Sequence, residues 1–326
     1  MAGRGSRLRP HTLTVPKPLV PVAGKPIVQR IVEDIAKSIN EKIEEVAFII
    51  GDFGPEAEEL LLDVAKKLGT KGVIYHQDQP LGTAHAVLCA KESLEGPCIV
   101  AFADCLFRSD SKLDTSKKGT IWVKSVEDPS AFGVVQLGEE GYITNFIEKP
   151  ETFVSDLAII GIYYFQDGKN LGDELQYLID NDVIYKGEYQ ITSALENMTA
   201  KGLKFFPNEI DEWLDCGNKD AVVYSNQRVL EFNKGTKLVS SKATIENSTI
   251  IEPCMIADGA HITNSVIGPH VSVGLNTKVV SCVIKNSVIQ NDSHIENAVL
   301  NNSMIGNKVE FDPKMNEVSI GDYSKL

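Results

Sequence analysis

No apolar run in the chain approaches the roughly 20 residues needed to cross a bilayer. The densest apolar stretches, 46–50 and 98–103, are the size of strands. The N-terminus lacks a charged-then-apolar secretory pattern. Cysteine is sparse and scattered (Cys89, Cys98, Cys105, Cys216, Cys254, Cys282), with no Cys-x-x-Cys. That pattern fits a reducing cytoplasm, with the thiols serving as small core residues. Positive charge is also short: 32 basic against 45 acidic residues leave a net −13. A broad nucleic-acid-binding surface is thereby excluded, because it needs a basic stripe. Acid, in turn, is missing from the first 25 residues, which carry Arg4, Arg7, Arg9, Lys17 and Lys25. An anion bound by this chain therefore meets a local cationic pocket.

What is present is enough for about two domains in 326 residues. The 43% apolar content supports a sizeable core and excludes long-range disorder. Over residues 1–218 helices and strands alternate. Ile27, Ile31, Ile35 and Ile39 recur every four residues after Pro26, which predicts an amphipathic helix. The run 46–50 ends at Gly51 and reads as a buried strand; Pro55 opens a second helix through Leu68. A strand at 72–75, a helix at 83–90 and a strand at 98–103 follow. The pattern predicts an α/β domain with a Rossmann-like, mostly parallel sheet covered on both faces.

A connecting helix is expected at 219–236. From 237 to 326 helical periodicity gives way to apolar steps every five or six residues, such as Ile245, Ile251, Ile256, Ile262 and Ile267. Asn247-Ser248, Asn264-Ser265, Asn286-Ser287 and Asn302-Ser303 recur with them. A six-residue period suits a parallel β-helix, in which each of three flat faces turns one apolar residue inward. At about 18 residues per coil, 240–312 makes roughly four coils.

The strongest local signal is Gly3-Arg4-Gly5-Ser6-Arg7-Leu8-Arg9-Pro10. Closely spaced glycines let backbone amides approach a phosphate, and Arg7 adds paired donors. The proline-stiffened segment Val15–Val22 then holds Lys17 at a set distance. Asp104 closely follows an apolar strand, where open α/β sheets place ligands.

Gly3-x-Gly5-Ser6-Arg7-Leu8-x-Pro10, Pro16-Lys17-x-Leu19-x-Pro21-Val22 and Lys25-Pro26-Ile27 together resemble the sugar-1-phosphate nucleotidylyltransferases. The likeness is greatest to glucose-1-phosphate thymidylyl- and uridylyltransferases that append a left-handed β-helix. It implies a nucleotide site of Gly3, Gly5, Ser6, Arg7, Gln77, Gly82 and Thr83, with Gln77 reading the base. It implies Gly133, Glu148, Lys149 and Gly161 around the sugar phosphate, and Arg7 and Lys17 as catalytic cations. Asp104 and Asp215, the latter in Trp213-Leu214-Asp215-Cys216-Gly217, would hold Mg²⁺. Ala103 stands where the family carries Gly, Gln190 where some relatives carry Glu, and Asn218 where Thr is common.

The implied reaction joins a nucleoside triphosphate (dTTP or UTP favoured) to a sugar-1-phosphate (glucose-1-phosphate favoured) and releases pyrophosphate. The implied assembly is a homo-oligomer formed through the β-helix, without nucleic acid or membrane. Two other readings exist. One is a regulatory or exchange-factor-like subunit of the same build. The other is a bifunctional enzyme with acyltransferase activity on His261, His270 or His294. Relatives carry a short apolar strand ahead of the glycine loop, so a chain beginning at Met1 is expected to be less stable or less active than one with that strand.

Overall fold

The computed structural model describes residues 5–313. The chain divides into two compact units. The first takes the described residues up to Val20 together with Pro26–Gly217, and the second takes Pro21–Lys25 together with the described residues from Asn218 onward.

In the first unit the helices stop where the sequence supplies a stop. Ile27–Ser38 (α1) buries Ile27, Ile31 and Ile35, and Ile39 is already extended. Pro55–Leu68 (α2) has proline in its first turn, where a missing N–H is tolerated, and ends at Gly69 in the left-handed conformation. Glu45–Ile50 (β1) and Lys71–His76 (β2) flank α2 and pair in parallel. This β-α-β step is the Rossmann-like element of an α/β fold. Thr83–Leu88 (α3), Cys98–Ala101 (β3) and Cys105–Arg108 (β4) follow.

The remaining strands are Gly119–Ser125 (β5), Gly133–Leu137 (β6), Ile143–Glu148 (β7), Leu157–Phe165 (β8), Phe205–Glu209 (β9) and Glu212–Asp215 (β10). Helices Gly168–Asp180 (α4) and Ile191–Ala200 (α5) lie between β8 and β9 in the chain. Six strands form one sheet in the order β3-β8-β5-β9-β7-β6. β5 and β9 are parallel, whereas the long β8 runs antiparallel to β3 and β5. The short turn between β6 and β7 can only return the chain beside itself, giving an antiparallel hairpin. Trp122, Ile121, Ile143, Phe165 and Phe205 fill the core without exposure. Phe205 meets Phe146 and Phe165 edge-on, at 5.9 Å between centroids in each pair.

The apolar runs expected to be buried on both faces are only partly so. In β1 just Phe48 and Ile50 are buried, and every residue of β3 is half-buried. Among the described residues β1 pairs only with β2, and β3 only with β8.

In the second unit three short parallel strands per coil stack into sheets of five, four and four strands. Successive coils are 17 residues apart from Thr244 to His261 to Lys278, then 16 apart to His294 and Glu310, shorter than the expected repeat. The recurring Asn-Ser pairs make corners. Asn247, Asn264, Asn286 and Asn302 adopt positive φ of 44, 53, 46 and 49°, which asparagine accepts more readily than most residues. The serine hydroxyl that follows accepts from the backbone N–H of the next coil. Ser248 accepts from Ser265 (3.0 Å), Ser265 from Cys282 (3.0 Å) and Ser287 from Ser303 (3.1 Å).

The three faces differ in what they show. One carries His261, Lys278 and His294 outward. A second exposes a column of Val266, Val283 and Val299. The third, formed by Cys254–Ile256, Val271–Val273 and Ser287–Ile289, is buried, and Lys219–Phe232 (α6) packs along it. This helix occupies most of the segment expected to be a connection. Its cap is Asn218, whose side-chain oxygen accepts from Ala221 N–H at 3.0 Å. At its centre Asn226 is fully buried. Its Oδ1 accepts from Ala23 N–H (2.9 Å) and the Ser272 hydroxyl (2.6 Å), and its Nδ2 donates to His270 carbonyl (3.3 Å).

Replacing Asn226 by Ala leaves two buried donors without this acceptor. We expect the second unit to lose about 1–3 kcal/mol per orphaned group. Urea unfolding followed by circular dichroism measures the loss, and an unchanged midpoint would contradict it.

Candidate functional site

The two-stranded ribbon of β4 and β10 sets the centre of the candidate site. Its antiparallel register places Asp215 opposite Cys105, and the Asp104 carbonyl accepts from Cys216 N–H at 3.2 Å. Asp104 and Asp215, far apart in the chain, are thereby neighbours. Lys17 lies in a one-turn 3₁₀ segment, Lys17–Leu19, that its flanking prolines favour. It is buried, with Nζ 4.0 Å from Asp104 Oδ2. Gly5 holds φ at +61°, and a Cβ there would stand 2.7 Å from the Lys17 Cβ, so the loop closes on the lysine stem only with glycine. Ser6 and Arg7 begin the next turn and are exposed. Arg7 reaches Gly217, where a Cβ would lie 3.4 Å from the guanidinium and 3.0 Å from both carboxylate oxygens of Asp215. Lys17 thus stands beside Asp104, and Arg7 and Asp215 both come near Gly217, with the β4–β10 ribbon linking the two pairs. Gly3 lies outside the described residues.

Gln77 follows β2 and is tied by its backbone N–H to Ile50 carbonyl at 2.7 Å. Its side chain is buried; Nε2 stands 3.0 Å from the Gly82 carbonyl and 3.1 Å from His85 Nδ1. Gly82 adopts φ +117°, and a Cβ would sit 2.4 Å from the Tyr189 carbonyl oxygen. The missing side chain therefore makes room for the 188–189 backbone. Thr83 does not cap its own helix. Its hydroxyl accepts from Ile191 N–H (3.0 Å) and donates to Gln190 Oε1 (3.2 Å), so it serves the start of α5.

Gly133 and Glu148 face each other across the β6–β7 hairpin, in register. A Cβ on Gly133 would come within 3.0 Å of Glu148 Oε2. Lys149 takes φ +48°, its N–H donates to Phe132 carbonyl at 3.0 Å, and its Nζ lies 3.8 Å from Glu148 Oε1. Gly161 gives its side-chain space to Phe102, whose ring would be 2.8 Å from a Cβ there.

Three aromatic residues with no role of their own assigned from sequence join these groups. The Phe132 and Trp213 rings meet at 4.7 Å, linking the turn before Gly133 to the strand of Asp215. Tyr163, buried on β8, lies within electrostatic reach of both Glu148 and Asp104. Burial, reinforced by those carboxylates, pushes its hydroxyl up. Phe132 and Trp213 lie inside the motifs, whereas a buried tyrosine on an apolar strand looks like core in sequence alone.

A nucleotidyl transferase family model matches residues 1–231, and a GlmU-like C-terminal hexapeptide model matches 234–318. The chain is 31% identical to a glucose-1-phosphate thymidylyltransferase of Streptomyces antibioticus, over 99% of this chain and 97% of that one. It is 30% identical, over the same shares, to a low-salt glycan biosynthesis nucleotidyltransferase of Haloferax volcanii. A solved structure of a putative glucose-1-phosphate thymidylyltransferase from Bacillus anthracis superposes with a TM-score of 0.60 at 24% identity, covering 72% of this chain and 95% of that one. That likeness shows the fold. The chain belongs to the nucleotidyl transferase family.

For a nucleotidyl transferase the donor set around Asp104 is informative. The backbones of Asp104 and Asp215 are adjacent across the ribbon, and among the described residues no group of three or more metal-binding side chains exists. Two hard oxygen donors, with the other positions left to phosphate and water, suit Mg²⁺. In the hexapeptide domain His270 Nε2 is 2.6 Å from Glu231 Oε1 of α6, which holds the Glu231 carboxyl below its usual range. His261 and His294 are exposed on one face with Lys278 between them. No helix among the described residues is long and apolar enough to cross a membrane.

All six cysteines are free thiols. Burial, with Asp104 beside it, pushes the Cys105 thiol up, and burial raises Cys98 to about 12. Both stay protonated at pH 8. Maleimide labelling with peptide mapping should leave Cys98 and Cys105 unmodified until denaturant is added; labelling of Cys105 in the native protein would refute the packing around Asp104.

Proposed function

We propose that the first unit transfers a nucleoside monophosphate from dTTP or UTP to glucose-1-phosphate and releases pyrophosphate. The observation that supports this reading is the approach of Lys17 to Asp104 and of Arg7 and Asp215 to Gly217, on segments linked by the β4–β10 ribbon. A triphosphate needs both cations and a metal to approach an anionic nucleophile. The family and the two full-length relatives support the reaction class, and the thymidylyltransferase relative supports the base and sugar.

The sugar phosphate is already ionised, so its oxygen attacks the α-phosphorus in line with the leaving pyrophosphate, without a strong general base. Catalysis is positioning plus charge neutralisation. Arg7 and Lys17 offset charge on the α-phosphate and the leaving group. Gly5 and Ser6 bring backbone N–H groups to the phosphates, and Gln77 reads the base. Glu148 accepts from sugar hydroxyls beside Gly133, and Lys149 holds the sugar's phosphate. Asp104 and Asp215 would hold a Mg²⁺, which would supply further neutralisation of the triphosphate. The substrates and the free thiols fit a cytoplasmic enzyme.

Steady-state pyrophosphate release tests the reading. Wild type turns over with dTTP or UTP, glucose-1-phosphate and Mg²⁺. Lys17→Met keeps the stem against Gly5 but loses the charge, and we expect kcat to fall about 10²- to 10³-fold with KM moving much less. Near-normal kcat would remove Lys17 from the mechanism, and no turnover by wild type would favour a regulatory subunit of the same build.

The uncovered valine column of the second unit, with Val283 49% and Val299 83% exposed, supports self-association through the β-helix. Val283→Lys should shift the chain to a smaller species in sedimentation velocity. A monomeric wild type would exclude this assembly.

A further inference from the structure

The contacts of Gln77 decide more than its place. Its side-chain amide nitrogen has two neighbours, the Gly82 carbonyl at 3.0 Å and His85 Nδ1 at 3.1 Å. A carbonyl oxygen only accepts hydrogen bonds, so the atom facing Gly82 is the NH₂ group and not the oxygen. That orientation assigns the ring opposite it. An NH₂ group has only protons to offer, so His85 Nδ1 accepts and the imidazole carries its proton on Nε2. One amide proton goes to Gly82 and the other to His85. Both donors are then engaged, and the atom left to face a ligand is Oε1, to which no hydrogen bond is made among the described residues. Gln77 is only 6% exposed and its backbone is tied to Ile50, so the amide has little freedom to present itself otherwise.

We infer that His85 is a positioning residue for base selection: by engaging the second amide proton of Gln77, it makes the site present a lone acceptor to the nucleobase. The inference rests on the reading of this site as a nucleoside triphosphate site. A lone acceptor selects a base edge that donates. Uracil and thymine donate from N3–H. Cytosine has a lone pair at N3, which Oε1 repels, and the amide has no proton left to meet it. Without His85 one N–H is released. The amide then offers an acceptor and a donor side by side, and the distinction between an imide and a cytosine edge weakens. Gly82 gives the same amide its first anchor, so the lock is built from one short segment, 77–85, closed by the 188–189 backbone.

The test compares wild type, His85→Leu and His85→Asn in the full chain. Leucine removes the acceptor. Asparagine offers Oδ1 close to where Nδ1 stood. Binding of UTP and CTP is measured by calorimetry, and kcat and KM by pyrophosphate release with glucose-1-phosphate, beside a thermal melt for each variant. The preference of wild type for UTP over CTP should fall at least about tenfold in His85→Leu, mainly through KM and Kd, and return in His85→Asn. An unchanged preference in His85→Leu overturns the inference. So does an equal loss in both variants, which would mark His85 as packing only. A wild type that binds UTP without turning it over refutes the transfer reaction, yet the binding ratios still decide the role of His85. A wild type that binds neither nucleotide ends both readings.

Discussion

The register between β4 and β10 is the constraint on which the candidate site depends. Backbone hydrogen bonds across this short ribbon bring Asp104 and Asp215 together, and no local feature of either segment could. A slip of one residue would turn Asp215 to the opposite face, away from the side it shares with Cys105, because side chains alternate along a strand. The ribbon's buried side chains, Leu106 and Phe107 on one strand and Leu214 on the other, hold that register. The cations are placed against it by different means. Lys17 is held by prolines on its own segment and by the close approach of Gly5, while Arg7 hangs from an exposed turn.

Close backbone approach recurs throughout the first unit. Gly5 admits the lysine stem, Gly82 admits the 188–189 strand of chain, and Gly161 admits Phe102. Around Gly82 two polar side chains are satisfied internally. Thr83 bonds to the first turn of α5, and Gln77 to Gly82 and His85. The charged side chains of Arg7 and Asp104, by contrast, are exposed. This is the division expected where a rigid α/β scaffold carries ligand groups on loops beyond its strands.

The second unit is built on repetition. Its coils exchange parallel backbone hydrogen bonds, with the Ser248, Ser265 and Ser287 hydroxyls adding a rung at the corners. The core is built of inward apolar residues, such as Ile262, Val279 and Ile295 stacked in register. The outer faces are free to differ because they do not touch the core. One is charged, one shows valines and one is covered by α6, which His270 and Asn226 fasten.

Much of this was legible without coordinates. The periods of α1 and α2, the parallel β1–β2 step and the change to a β-helix follow from local spacing, since apolar periodicity mirrors which face is buried. The motifs also named the acidic pair and the cations. Three things were not legible. The coil length of 17 and 16 residues depends on how tightly each corner turns. The half-buried state of β3 depends on which strands pair with it, and the tasks of Thr83 and Gly161 depend on segments distant in sequence. Residue types and spacings determined which elements form, because those are local energies. Only the tertiary structure decided which side chains meet and which of their hydrogen bonds remain for a ligand, because both are set by contacts between segments that the chain order does not place together.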